Sequence, residues 1–415
     1  MSREAVRIVI LGVNYAPEPT GIAPYTTGIA VGLAKRGHDV LVLTGHPHYP
    51  YWKRSEHSAG LRSDEMLGGV RVRRFLHPVP QRHSWAARAV MELTFGLQTI
   101  TTRWGRPDVV ICVTPPLLAA VMSALRARLT RRRPALGILV QDMYSRGISE
   151  TKATSGLSAK AIRAIEFLTM RLADGVSVIH AGFARDLTED FNVDTRRIQV
   201  NRNWTHVNPP DPLGSTKFRD VHGWKPEDVV VLHAGNMGYK QGLENVVAAA
   251  ELAMRADQSV KFVMLGDGNQ RAALQSMAAG VPTVEFMSPV SEDEFPAALG
   301  AADVLLVNER RGVGHMSVPS KLTSYFNSGR PVLAATDLAG FTAVEIAASG
   351  AGVCVPADRP DLLLSEAIRL GTDRDLARQL GEAGQRYCAD LLSEDAAIDR
   401  YEQWVMDLAA KRWPR

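Results

Sequence analysis

The chain has 415 residues, of which 46% are hydrophobic and 22% charged. That composition excludes a disordered polymer, and the length exceeds what one hydrophobic core serves, so two domains of about 200 residues each are expected. The net charge of +4 conceals a division: residues 1–205 hold 28 Lys plus Arg against 16 Asp plus Glu, a balance of +12, while residues 206–415 hold 20 against 28, a balance of −8.

The first half opens with an apolar strand, Val6 to Val13, which is too short and too early interrupted by Arg7 to be a signal-peptide core or a membrane span. A turn-rich loop, Asn14-Tyr15-Ala16-Pro17-Glu18-Pro19-Thr20-Gly21-Ile22-Ala23-Pro24, leads to a helix over Tyr25 to Lys35. The break Gly37-His38-Asp39 then precedes a second strand, Val40 to Thr44. No Gly-x-Gly-x-x-Gly occurs there, which argues against a nicotinamide or flavin cofactor, although Gly21 at the mouth of a helix allows backbone amides to approach a ligand. Further strands are expected at Val70 to Phe75, Val109 to Val113, Ala135 to Val140, Val176 to Ile179 and Ile198 to Val200. Pro115-Pro116 divides the uncharged run 109–125 into a strand and a helix, so it is not a span. Polar residues at the ends of these strands, Gln141, Asp142 and Tyr144 after one and Asn203-Trp204 after another, mark the places to look for chemistry. Asp142 serves equally as a local cap.

Two features of this half point to an anionic partner. The cluster Arg126, Arg128, Arg131, Arg132 and Arg133 ends an apolar helix, and the segment 82–106 mixes Trp85, Phe95 and Trp104 with Arg82, Arg88, Arg103 and Arg106. Basic charge among apolar residues fits a peripheral contact with an anionic membrane, and a solvated face accounts for the same residues. No nucleic-acid-binding motif is present, so nucleic acid is not an expected partner. The three cysteines, Cys112, Cys354 and Cys388, have no metal-ligand spacing and read as thiols of a reducing compartment.

A proline-rich link, Asn208-Pro209-Pro210-Asp211-Pro212, places the domain boundary at 207/208. The second half restarts with a strand, Val229 to His233, the loop Ala234-Gly235-Asn236-Met237-Gly238-Tyr239-Lys240-Gln241-Gly242, and a helix from Leu243. Strands at Lys261 to Leu265, Thr283 to Phe286, Val304 to Val307, Val332 to Ala335 and Gly352 to Val355 alternate with helical stretches, the pattern of a doubly wound parallel sheet. After Val307 the stretch Asn308 to Thr336 reads as a loop, a helix N-terminus at Ser317-Val318-Pro319-Ser320-Lys321, and a stop at Gly329. Ser317 or Ser320 is placed to cap that helix. Lys240 and Lys321 thus stand after two strand ends of one sheet, as two cations able to converge on a single anion together with helix amides. The closing segment, Glu394 to Trp413, is amphipathic through Ala397, Tyr401, Trp404, Val405 and Leu408 and is expected to return to the first domain.

These residues carry a resemblance. Asn14-Tyr15-Ala16-Pro17-Glu18 with Thr20-Gly21-Ile22, Gly37-His38-Asp39-Val40, Asn203-Trp204, the run Gly235 to Asn245 and Pro319-Ser320-Lys321-Leu322-Thr323 together resemble glycosyltransferase family 4, and most of all its branch of colanic-acid-type exopolysaccharide enzymes. The resemblance implies an α/β chain of the GT-B fold: two Rossmann-like domains facing across a cleft, residues 1–207 binding the acceptor and 208–393 the nucleotide sugar, with the helix 394–415 crossing back. It implies retaining transfer of a sugar from a nucleotide-diphosphate donor to a hydroxyl of a lipid-linked or glycan acceptor, with no cofactor and no metal, on the cytoplasmic side of the membrane. No Asp-x-Asp follows a strand, so Lys240 and Lys321, with amides near Gly21, Gly235 and Ser320, are the candidates to stabilise the leaving diphosphate.

Three departures from the family stand out. Two family glutamates eight positions apart align with Met316 and Ser324 here, leaving Glu309 as a substitute for the first. Asn236 stands where relatives carry arginine, and Gln141, beside Asp142, where they carry histidine. The missing glutamates keep two alternatives open: a non-catalytic nucleotide-sugar-binding subunit and a nucleotide-sugar epimerase of the same fold.

Overall fold

The computed structural model describes residues 5–19, 21–49, 52–53, 60–80, 85–143, 157–314 and 320–412. Tyr144, Thr20, Arg82, Met316, Ser317, Val318 and Pro319, all singled out above, lie outside them. The chain divides into two compact units, Met1–Asn203 with Glu394–Arg415, and Trp204–Ser393.

The first unit is built on eight strands: β1 (Arg7–Leu11), β2 (Asp39–Gly45), β3 (Arg62–Leu67), β4 (Val70–Phe75), β5 (Val109–Thr114), β6 (Ala135–Val140), β7 (Gly175–Val178) and β8 (Ile198–Val200). Their order is β3-β4-β2-β1-β5-β6-β7-β8, parallel except for the β3–β4 pair. The central strands are unbroken apolar runs because helices cover both faces, and every residue of β5 and β6 is buried. Sequence direction reverses between β1 and β5, which opens a crevice at their carboxyl ends.

The sequence reading did not anticipate β3. Its residues, Arg-Ser-Asp-Glu-Met-Leu, lack apolar alternation because it is a largely exposed edge strand, where charge discourages further pairing. Gly68 and Gly69, at φ 57° and 83°, form the two-residue turn that returns it to β4. Opposite charges then meet across the pair, with Arg73 Nε donating to Asp64 at 2.6 Å and Arg74 Nε to Glu65 at 2.6 Å.

Helices Trp85–Thr101, Leu117–Leu129 and Leu157–Leu172 pack in a row on one face of this sheet. Helix Ala23–Lys35 crosses the sheet in the opposite sense, so right-handed connection puts it on the other face, packed against helix Glu394–Arg412. Ile398, Tyr401, Trp404, Val405 and Leu408 of that last helix are buried. A Cβ built on Gly137 would lie 2.7 Å from Trp404, and one on Gly32 would lie 2.6 Å from Ile398, so the contact depends on the missing side chains. Arg36 adds an ion pair to Asp399 at 2.6 Å.

The second unit holds six parallel strands: β9 (Val229–Ala234), β10 (Val260–Leu265), β11 (Val284–Met287), β12 (Val304–Asn308), β13 (Val332–Thr336) and β14 (Gly352–Pro356). They are ordered β11-β10-β9-β12-β13-β14. This is the Rossmann order, with its switch point between β9 and β12. Asp373 of the late Asp-Arg-Asp triplet caps helix Arg374–Leu391 through the Leu376 amide at 3.0 Å. Among the described residues no helix is long and apolar enough to cross a membrane.

The glycine-floored seat of Trp404 predicts that Trp404→Ala lowers the stability of the first unit by about 3–5 kcal/mol, the usual cost of removing a buried indole. Chemical denaturation followed by far-UV circular dichroism measures it. A loss under about 1 kcal/mol would show that the last helix contributes little to the first unit.

Candidate active site

The second unit's switch point brings together the loops after β9 and β12. Gly235, at φ 128°, turns the chain sharply off β9 where an L side chain is strained. The short turn Tyr239–Gln241 follows, and Gly242, at φ 53°, leads into helix Glu244–Arg255. A Cβ on Gly242 would stand 3.1 Å from the Arg310 Cα, so the two loops touch through backbone.

Polar side chains staple them. Asn308 Nδ2 donates to the carbonyls of Gln241 at 2.7 Å and Gly242 at 2.9 Å, and its own Oδ1 accepts from Asn245 at 2.9 Å. The Arg310 amide donates to the Lys240 carbonyl at 2.8 Å. Its guanidinium stacks 4.0 Å over the Tyr239 ring and pairs with Glu244 at 2.6 Å. Lys240 is exposed on this fastened turn.

Lys321 begins helix Lys321–Asn327, which Tyr325 anchors to β9 by accepting the Ala234 amide at 2.8 Å. The lysine is half-buried. Its Nζ lies 3.3 Å from Nε2 of His233, a fully buried residue of β9, and 3.5 Å from where a Cβ on Gly235 would be. Burial pushes the Lys321 ammonium down to about 7, against the pull of the Glu309 carboxylate. Burial, and then the Lys321 charge, hold His233 well below its usual range, as a neutral imidazole. Glu309 is itself buried, accepts from the Thr336 hydroxyl, and is raised above the usual carboxylate range chiefly by burial.

Lys240, Lys321, Gly235, Asn236 and Glu309 therefore share the carboxyl edge of neighbouring strands. Ser320 is the residue before the helix but makes no side-chain cap, which corrects the capping role expected of it; αR backbone there leaves its hydroxyl off the helix amides. Ser324 is buried within that helix and offers no carboxylate. Two residues of this site escaped sequence reasoning. His233 was visible as a histidine in an apolar strand, and Arg310 as a cation two residues after β12.

In the first unit, Gly21 has φ 72° and a Cβ there would meet the Tyr49 ring at 3.0 Å. Its loop is held by Glu18, a buried residue also missed from sequence. Glu18 accepts from the amides of His48 at 2.8 Å and Tyr49 at 2.9 Å and from Asn14 Nδ2 at 2.7 Å. Gln141 is buried at the end of β6 in a reciprocal amide pair with Asn203, at 2.9 and 3.3 Å. Asp142 is exposed and accepts the Met143 amide at 2.8 Å. Among the described residues no cluster of three or more His, Cys, Asp or Glu is arranged to hold a metal ion.

Two doubly wound sheets, the second with two lysines on the loops at its switch point, fit a two-domain transferase, and comparison with known proteins identifies the class. Residues 20–204 match the family described as Glycosyl transferase 4-like domain and residues 214–387 match Glycosyl transferases group 1. The chain belongs to this glycosyltransferase family and is an enzyme of the GT-B type, a class that uses nucleotide sugars. It is 30% identical to the putative colanic acid biosynthesis glycosyl transferase WcaI of Escherichia coli K12 over 91% of this chain and 96% of that one. Similar solved folds are sucrose-phosphate synthase from Thermosynechococcus elongatus, with a TM-score of 0.74 at 16% identity covering 98% and 100% of the two chains, and Anabaena Alr3699/HepE in complex with UDP, with a TM-score of 0.71 at 15% identity covering 97% and 100%.

A lysine held near 7 is mostly neutral at pH 8 and charged at pH 6, and a diphosphate beside it favours the charged form. Nucleoside diphosphate binding is thus expected to take up a proton above about pH 7, with affinity falling by up to about tenfold per pH unit there and levelling off below it. Calorimetry in buffers of different ionisation enthalpy measures the uptake, and Lys321→Arg is expected to abolish it. Zero uptake by the unmodified chain at pH 8 would remove Lys321 from the anion.

Proposed function

We propose that the chain is a retaining, metal-independent glycosyltransferase that moves a sugar from a nucleotide-diphosphate sugar to a hydroxyl of a lipid-linked or polysaccharide acceptor. The second unit holds the donor and the first the acceptor, at the inner face of the cell membrane. The observation that carries the reading is the Lys321 ammonium, seated against His233 and Gly235 beside the stapled turn that bears Lys240.

Transfer breaks the bond between the anomeric carbon and the diphosphate oxygen, and charge grows on the departing oxygen. The two lysines and the loop amides at Asn236 and Ser320 would meet that charge on the carboxyl edge, where the Gly235 amide is committed to the Leu265 carbonyl at 2.8 Å, and so would do what a divalent ion does elsewhere. The acceptor oxygen then bonds to the anomeric carbon on the face the diphosphate leaves, and its proton passes to the departing phosphate oxygen. Glu309 acts through Lys321, by tuning how readily that lysine is charged. In the first unit Gly21, on the loop that Glu18 holds, Gln141 and Asp142 stand at the carboxyl edge, where the acceptor is placed. WcaI is named for colanic acid biosynthesis, and the Anabaena structures contain UDP or UDP-glucose; both support a nucleotide-sugar donor and a glycan product here.

The test is release of nucleoside diphosphate from a panel of nucleotide sugars, with and without lipid-linked and polysaccharide acceptors. Acceptor-dependent release from at least one donor is expected, unaffected by chelator. Lys240→Ala and Lys321→Ala are each expected to lower kcat/KM by about 10²–10³. Donor binding with no turnover under any acceptor would point to a non-catalytic subunit, and sugar interconversion without acceptor would point to an epimerase.

A further inference from the structure

The helical layer formed by Trp85–Thr101, Leu117–Leu129 and Leu157–Leu172 departs from the pattern of a solvated surface. A helix on a soluble domain gives its outward line to charged and polar residues. Along the first of these helices the outward line is Ala86, Val90, Leu93 and Leu97, spaced at helical intervals and all exposed. Leu93 is 43% and Leu97 54% exposed. Leu125 and Leu129 continue the apolar surface on the second helix, and Phe167 and Leu168 on the third. The helices are pressed close enough to make one face, since a Cβ on Gly96 would stand 3.1 Å from the Ala119 Cα.

The exposed charge that the three helices themselves carry has one sign. Their carboxylates are Glu92 and Glu166, and both are buried; Glu92 is turned inward onto the Leu118 amide at 2.9 Å. Exposed cations edge the layer where the helices end, at Arg103 and Arg106 after the first, Arg131 and Arg133 after the second, and Arg171 in the third. Part of the basic cluster seen in the sequence is otherwise engaged. Arg126 lies 4.0 Å over the Trp104 ring and donates to the Thr99 and Thr102 carbonyls, and Arg128 pairs with Asp174 at 2.8 Å, so both join helix ends. Phe95 and Trp104 are buried as well, which corrects their expected place on the surface. The opposite side of the same sheet has the contrary character: helix Glu394–Arg412 turns Asp395, Asp399 and Asp407 outward.

We propose that this layer is the face by which the enzyme docks on an anionic lipid bilayer, with Leu93, Leu97 and Phe167 entering the headgroup boundary and the arginines at its edge meeting lipid phosphates. An apolar patch whose three helices expose no carboxylate of their own, whose ends carry exposed arginines, and whose neighbouring Asp190 is paired to Arg163 at 3.6 Å is complementary to such a surface on both counts. The proposal deepens the membrane-side reading given above by naming the surface, and it rests on that reading only for the source of the acceptor.

Flotation of the full chain with phosphatidylcholine vesicles, with and without phosphatidylglycerol, tests it. Binding is expected only with the anionic lipid, and Leu93→Glu with Leu97→Glu is expected to weaken it at least about tenfold. Both positions point outward, so unchanged circular dichroism is expected, and transfer measured in detergent should remain. Leu338→Glu, at an exposed leucine of the second unit, should leave flotation intact. Absence of flotation, equal flotation on neutral vesicles, or equal loss in Leu338→Glu would overturn the proposal. So would a dimer in lipid-free sedimentation that the double substitution dissociates, since a second copy would then cover the face. Flotation needs no donor, so a docked but inactive chain would sink only the transferase reading, and an active chain that never floats would sink only the docking face.

Discussion

The interaction around which the second unit's switch point is arranged is a lysine ammonium held against a neutral imidazole. Lys321 stands 3.3 Å from His233, whose ring offers no compensating negative charge, and the nearest carboxylate influence comes from a Glu309 that is itself buried and bonded to Thr336. A cation in that position is left short of solvation and of a counter-ion, which is why its proton is loosely held. An incoming anion supplies what the fold withholds. The half-buried cation therefore lacks a close negative partner, and the diphosphate proposed to bind there would supply one.

The proposed role calls for cations on loops that do not drift, and the surrounding polar bonds fasten those loops. Tyr325 fixes the helix that carries Lys321 to the end of β9. Asn308 and Arg310 fasten the β12 loop to the turn that carries Lys240, partly by backbone contacts that only Gly242 allows. These residues touch both loops, so they set geometry and not charge. The first unit uses the same device at the carboxyl end of β1, where Glu18 takes three donors from its own loop and the loop after β2. In each unit a loop that has no regular structure of its own is made rigid by a buried polar side chain whose bonds are satisfied.

How much of this was legible in the sequence depended on whether the signal was periodic. The bounds of β4, β6 and β8 were read correctly: β6 is a buried apolar run that ends abruptly at Gln141, while β4 shows apolar residues alternating with arginine. The β3 edge strand was invisible, since exposed Arg62, Asp64 and Glu65 alternate in charge and not in hydrophobicity. Lys240 and Lys321 stood out because a lysine after a glycine-bearing strand end has few other uses. The partners that give Lys321 its character did not: His233 reads as part of a strand, and its distance from Lys321 spans 88 positions of sequence. Gln141 and Asn203 were each noted as strand-end polar residues, yet only the fold shows that they satisfy one another.

The charge division has a similar lesson, because the excess of +12 in residues 1–205 mixes two populations of arginine. One population is structural. Arg126 and Arg128 bridge helix ends, and Arg73 and Arg74 hold the β3 edge through Asp64 and Glu65. These would be present in a protein that met no anion at all, and a count of basic residues cannot separate them from the rest. The informative quantity is the placement of carboxylates. On the helical layer that begins at Trp85, both glutamates are drawn inside while leucines and a phenylalanine remain outside, an arrangement that costs solvation on both counts. Helix propensity does not require it, since Leu93 and Leu97 are about half exposed and charged residues at the same positions would form the helix as well. The bilayer proposed as its partner would account for the arrangement, being apolar in its depth and anionic at its surface.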